Sequence, residues 1–351
     1  MTYTSYLAAM KIIIFAVLSS LLCLMMACTS QDKSEAGVFF LKGNIQFKDK
    51  RFAEAIRFYD EAIKKYPKLT DAYLNKGLAL SQLGKSEEAY AALSRALELE
   101  DGFHEARMAR AEAALVLGRT AQAEDDLSLL TNVYKDSTRF YLVRGNLMVD
   151  KNQKGAAYAD FDKAILLDPE NVEALVNRGA MFFEDGKTKE AGDDFARALA
   201  LNPAQKEALN NRGLVLLKEG NPGEALGYFE KVLIRTPDDG YALNNKGEAL
   251  LLLGKRDEAL KALSRSLEFK PDNAYALKNM GLYYFSGKDY ENAARFLDKA
   301  VSLEQNVPGL YGLAGKCHFL LNNSARACQL WALGKVLNDS LAISESVRNC
   351  R

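Results

Sequence analysis

An all-α fold, a solenoid of nine stacked helix-turn-helix units closed by a C-terminal capping helix, is predicted by three observations on this 351-residue sequence. A 34-residue pattern runs from Ala36 to Leu341 without insertion or deletion. Its eighth position is Gly43, Gly77, Ala111, Gly145, Gly179, Gly213, Gly247, Gly281 and Gly315, and its twentieth is always Ala, from Ala55 to Ala327. Each unit places apolar residues at helical spacing on both sides of a turn. A fixed period of this kind marks units that cannot bury an apolar face alone and stack to share one core.

Taken in chain order, the first element lies outside the period. Lys11 precedes an apolar run, Ile12 to Ala27, that is short for a bilayer span and ends in a small residue, so residues 1–27 read as a secretory signal. Met10 before Lys11 is an alternative start with a more typical charged beginning. Residues 28–35 form a polar tether headed by Cys28, and 36–341 hold the nine repeats. Repeat seven shows the design: Ala242 to Leu253, a turn at Gly254-Lys255, then Arg256 to Phe269, where Ala259, Leu263 and Leu267 recur every fourth residue. Pro271 then blocks continuation, because it lacks an N–H and restricts its predecessor. Repeat three is less regular, with Arg107 where an aromatic or Leu is usual and no closing Pro, and repeat nine carries Gly334 where Ala is usual. Residues 342–351 suit a capping helix, which the last apolar face requires.

Position 24 is Tyr59, Leu93, Leu127, Phe161, Phe195, Phe229, Leu263, Leu297 or Trp331, and Pro recurs at position 32 as Pro67, Pro169, Pro203, Pro237 and Pro271. With the Gly and Ala positions, these resemble the tetratricopeptide repeat, which implies a right-handed superhelix and says little about function. Leu24-Met25-Met26-Ala27-Cys28 resembles the lipobox of bacterial lipoproteins, although Met26 stands where a small residue is usual. That resemblance implies cleavage before Cys28, acylation of its thiol and a lipid anchor in the bacterial cell envelope. Thr29 rather than Asp after the Cys favours the outer membrane by analogy with enterobacterial sorting.

Forty-six basic and forty-six acidic residues balance, so no electrostatic footprint for nucleic acid exists. Export permits disulfides. In the repeat register Cys328 is at position 21 and Cys350 at position 9 of a truncated tenth unit, which makes them near neighbours, and the chain's end resembles tetratricopeptide lipoproteins of Bacteroidota. A Cys328–Cys350 bridge is expected, three buried thiols being the alternative, with Cys317 packed as a small apolar residue. His104 and His318 lie six repeats apart, no set of residues has metal-ligand spacing, and Leu83-Gly84-Lys85-Ser86 lacks the first Gly of a phosphate loop. Neither a catalytic centre, nor a metal, nor another cofactor, nor a small-molecule substrate is expected.

Positions 2, 5, 6, 9, 12 and 13 of the first helices line the concave surface in the family. Asn75, Asn177, Asn211, Asn245 and Asn279 fall at position 6, and Asn210 and Asn244 at position 5. A carboxamide both donates and accepts, so such a row can hold the backbone of an extended peptide whatever its sequence. The row resembles the asparagine ladder of the O-linked N-acetylglucosamine transferases; solvation of a helix face is the alternative. Phe40, Leu74, Met108, Leu142 and Val176 at position 5 make the early groove apolar, and the chaperone-tail clamp of some family members is not supported, since its Lys/Asn pair reads Phe40/Asn44, Leu74/Leu78 and Asn210/Leu214. A basic residue fills position 7 from Lys42 to Lys246, and Asp126, Asp160 and Asp194 stand sixteen residues after Arg110, Arg144 and Arg178, which points to ion pairs within hairpins rather than an anion stripe.

Together these observations predict a non-enzymatic interaction scaffold, lipid-anchored through Cys28, that binds an extended peptide segment of a partner protein in its groove. The alternative is an accessory subunit of an envelope secretion or outer-membrane assembly machine, docking through its convex face or ends.

Overall fold

A computed structural model describes residues 32–303 and 306–350. The signal segment, the alternative start at Met10 and the lipidation candidate Cys28 lie outside the described residues. The described chain is helical throughout and divides after Pro169 into two compact units. The first holds α1 (32–48), α2 (Phe52–Lys65), α3 (Thr70–Gln82), α4 (Ser86–Leu99), α5 (His104–Val116), α6 (Thr120–Leu130), α7 (Thr138–Asp150) and α8 (Lys154–Leu167). The second holds α9 (Val172–Glu184), α10 (Thr188–Leu201), α11 (Lys206–Lys218), α12 (Pro222–Arg235), α13 (Gly240–Leu252), α14 (Arg256–Phe269), α15 (Ala274–Ser286), α16 (Tyr290–Ser302), α17 (Leu310–Leu320), α18 (Ser324–Val336) and α19 (Ser340–Asn349).

Odd and even helices pair as the hairpins of the 34-residue repeat. The position-8 glycine faces the large position-24 side chain of its own hairpin. A methyl group on Gly145 would stand 2.6 Å from the Phe161 ring, and one on Gly43 would stand 2.5 Å from Tyr59. Tyr59, Phe161, Phe195, Phe229 and Trp331 are fully buried in consequence. The turn glycines Gly84, Gly118, Gly186, Gly220 and Gly254 all have positive φ, which lets each hairpin reverse without strain.

The sixteen-residue Arg/Asp spacing closes the hairpins of repeats three, four and five with a forked pair. Arg144 Nε and Nη2 donate to the two oxygens of Asp160 at 2.9 and 2.5 Å, and Arg178 does the same to Asp194 at 2.8 and 2.7 Å. The carboxylates are buried, so these are not the exposed pairs that a surface reading implies. Arg110 grips Asp126 likewise, and the irregular Arg107 joins it, donating to Asp126 at 3.3 Å and to the Asp101 side chain at 2.6 Å. The departure of repeat three is thus a second cation on one buried aspartate. Its second helix α6 is cut to 11 residues, and Arg139 of α7 reaches back to Glu112 of α5 at 2.6 and 2.8 Å.

Three expectations are corrected. The helix α1 already includes residues 32–35, assigned to the tether, because Glu35 pairs with Lys65 of α2 at 2.5 Å. The capping helix starts at Ser340 rather than 342, where Asp339 accepts from the Leu341 and Ala342 N–H groups. Leu74, Met108, Leu142 and Val176 do not line a groove but are buried in the core.

At the C-terminal end Cys328 and Cys350 form a disulfide with Cα atoms 5.7 Å apart. Asp339 also accepts from the Gly312 N–H at 2.7 Å, and Ala342 packs where Gly334 has no side chain. Cys317 is buried without a partner cysteine, and burial pushes its thiol up to about 12.

Candidate functional site

The second unit contains an open groove of about 850 Å³ along the first helices of its hairpins, lined by α9, α11, α13 and α15 and reaching Pro308. Phe183, Leu214, Leu217 and Leu252 supply apolar walls. Tyr241 and Tyr275 stand one repeat apart at the second position of α13 and α15 and are 54% and 45% exposed. The sequence reading missed both tyrosines, although their 34-residue spacing is the signal that finds them.

Four of the predicted ladder residues, Asn210, Asn211, Asn244 and Asn245, line this groove, but three of them bond to one another and to Asn279. Asn279 Nδ2 donates to Asn244 Oδ1 at 2.9 Å, Asn244 Nδ2 to Asn245 Oδ1 at 3.0 Å, and Asn245 Nδ2 to Asn210 Oδ1 at 2.9 Å. Asn279 donates as well to Glu248 at 3.3 Å. Asn244 is 3% and Asn279 1% exposed. The expectation of an open row is therefore corrected at Asn244, Asn245 and Asn279: their amides tie α11, α13 and α15 together. Asn211 differs. It is half-buried on the groove wall, and its side chain makes no hydrogen bond among the described residues. Asn177 is half-buried on α9, and Asn75, in the first unit, donates to Asn44 at 2.8 Å.

Charge in the groove is mixed. Lys206 bonds Asp239 at 3.1 Å, and that hydrogen bond raises the Lys206 pKa. Burial pushes the Asp239 carboxyl up, but the Ala242 N–H, Lys206 and the Tyr241 N–H outweigh it and hold the group below its usual value. Lys218 sits 5.2 Å from the centre of the Phe183 ring, and Lys278 donates to the Pro308 carbonyl at 3.2 Å. Lys270 covers Tyr241 at 4.2 Å. Polar edges, aromatic platforms and a balance of charge suit an extended chain of mixed composition better than a strongly charged ligand. Among the described residues no group of three or more His, Cys, Asp or Glu could hold a metal, and no helix is long and apolar enough to cross a membrane. His318 accepts or donates at Asp298, 3.0 Å away, while His104 is exposed on α5.

Three sequence models of the tetratricopeptide repeat match the chain, one at 142–206, 193–240, 210–274 and 244–311, another at 58–91 and a third at 36–69. This chain is a tetratricopeptide-repeat protein. Among curated relatives, human tetratricopeptide repeat protein 13 is 30% identical over 143 residues, 39% of this chain and 16% of that protein. The Hsp70-Hsp90 organizing protein 2 of Arabidopsis thaliana is 37% identical over 62 residues, 18% of this chain and 11% of that protein. The chain thus spans less than a fifth of the length of these relatives. Among solved structures, Cut9 with Hcn1 from the APC/C superposes with a TM-score of 0.64 at 15% identity, covering 90% of this chain and 76% of that one. PilW, a type IV pilus biogenesis factor, gives 0.50 at 24% identity over 56% of this chain and 91% of its own. At such identities the superpositions show the fold alone.

Proposed function

We propose that this protein is a non-enzymatic scaffold, lipid-anchored through Cys28 in a bacterial envelope, with the outer membrane favoured, that binds an extended peptide segment of a partner in the groove of its second unit. The observation that carries the binding mode is the Asn211 carboxamide, without a hydrogen bond among the described residues, in one groove with the exposed Tyr241 and Tyr275 rings. An extended backbone can bond one amide edge while its side chains lie on the tyrosine faces, which gives affinity with limited sequence demand. The anchor rests on the lipobox-like residues before Cys28. The test compares partners crosslinked in native envelopes by the parent and by an Asn211→Ala/Tyr241→Ala variant with the parent's circular dichroism. A partner captured by the parent and lost from the variant is expected; the same partners in both would sink the groove reading.

The second reading, an accessory subunit of an envelope machine docking through a solenoid end, is favoured by one observation. Val336 of α18 and Val347 of α19 are largely exposed on the C-terminal hairpin and its cap. Under that reading Val336→Asp/Val347→Asp loses the partner and the groove variant keeps it.

A further inference from the structure

Positions 3 and 10 of the first helices are packing positions in the repeats that follow the first. Ala72 and Ala79 of α3, Ala106 and Ala113 of α5, Ala208 and Val215 of α11, and Ala242 and Ala249 of α13 are all buried. In α1 the same positions carry larger residues, and nothing among the described residues covers them. Val38 and Ile45 at these positions are 51% and 58% exposed, and Leu41 at position 6 is 62% exposed. Their spacing of three and four residues puts them on one face of α1, which Ser34 and Lys48 extend. Beside this face stand the exposed cations Lys33, Lys42, Lys48, Lys50 and Arg51, none of which has an ion-pair partner among the described residues; they outnumber the exposed Asp32 and Asp49 of the same segment, and Glu35 is held by Lys65.

We infer that the face of α1 formed by Val38, Leu41 and Ile45 lies on the lipid surface to which Cys28 is anchored, with the flanking lysines and Arg51 at the level of anionic headgroups. The inference rests on the reading of Cys28 as acylated. Three half-exposed aliphatic side chains fall well short of the ~800 Å² that each partner of a stable dimer contributes, so a second copy does not suit the face. The apolar run 12–27 leaves with the signal under the same reading. A tethered bilayer needs no such area. Three residues lie between Cys28 and the start of α1, and Val38 is six residues further on, so chain reach keeps Val38 within about 25 Å and Ile45 within about 35 Å of the anchor. At that effective concentration a weak apolar contact suffices. An amphipathic helix with a basic fringe adds interfacial contact beside such an anchor. The consequence is an orientation of the first repeat, whose α1 face lies against the membrane.

The test expresses the full chain in a lipoprotein-processing bacterium, purifies it, and reads the mass of its N-terminal peptide. Leu41→Cys, and Glu61→Cys on the exposed side of α2 as control, are labelled with an environment-sensitive fluorophore; the bridged Cys328 and Cys350 and the buried Cys317 do not compete. Each protein is placed in vesicles of phosphatidylethanolamine and phosphatidylglycerol with or without spin-labelled lipid. An acylated Cys28, a blue-shifted probe at 41 quenched about twofold by the spin label, and an unquenched probe at 61 are expected for a helix seated at the headgroup boundary. An acylated protein whose probe at 41 matches the control overturns the inference and leaves the anchor standing. A blue shift without lipid quenching also overturns it, because a protein then covers the face. An unmodified Cys28 overturns both.

Discussion

Replacing Asn244 with Ala separates amides that hold the fold from amides that are free to bind. Asn244 both donates to Asn245 at 3.0 Å and accepts from Asn279 at 2.9 Å, and it is almost wholly buried. Its removal strips Asn245 Oδ1 of a donor and leaves Asn279 with only the longer bond to Glu248 at 3.3 Å. A neutral hydrogen bond contributes about 1 kcal/mol, and a buried polar group left unpaired costs about 1–3 kcal/mol, so Asn244→Ala should destabilise the second unit by about 3 kcal/mol. Asn211→Ala removes no hydrogen bond and should stay within about 0.5 kcal/mol of the parent. Urea unfolding read by the fluorescence of Trp331, the single tryptophan and a buried residue of the same unit, measures both. Equal stability of Asn244→Ala and the parent, or an Asn211→Ala as costly as Asn244→Ala, would refute the division of roles.

Three further outcomes follow from the same physics. Arg144→Ala should cost about 3–5 kcal/mol, because it leaves the buried Asp160 carboxylate uncompensated, whereas Asp160→Ala should cost less, since Arg144 can turn to solvent beside Phe140 and Tyr141; chemical denaturation of the two single variants ranks them. Cys350→Ser should leave the groove intact but loosen α19, lowering stability by about 3 kcal/mol for a loop of this length, with amide exchange rising in 340–349 alone. The Asp239 pKa is depressed in the folded state, so its contribution is present above the unfolded carboxylate value and is lost as pH falls through the lower folded value. Stability measured from pH 5 to pH 2 should therefore fall less steeply in Asp239→Asn than in the parent.

The 34-residue period made the hairpins legible, because a glycine at position 8 and a large residue at position 24 have one physical reason to recur together. The Arg/Asp pairs were legible for the same reason, sixteen residues being the distance across one hairpin. Their burial was not, since spacing carries no information about how deep a pair sits. The asparagines show where the sequence stops. Position within a helix placed Asn244 and Asn245 on the groove side, but whether an amide meets a ligand or a neighbour depends on the offset between repeats. Asn210 and Asn245, and Asn244 and Asn279, are 35 residues apart, one repeat plus one residue, and that diagonal is the short path between adjacent first helices. Tandem asparagines at 210–211 and 244–245 carried the signal. Arg107 was visible as an irregularity, yet its role needed Asp126 and Asp101 in place around it.

The most direct measurement of the central claim is site-specific photocrosslinking in native envelopes, with a photoreactive residue at Leu252 in the groove or at the exposed Ile234 on α12, outside it. A peptide segment of one partner crosslinked at 252 and absent at 234 is the predicted result, and its loss in Asn211→Ala/Tyr241→Ala would tie it to the groove. Capture at 234 with none at 252 would contradict the account and move the interaction to another face.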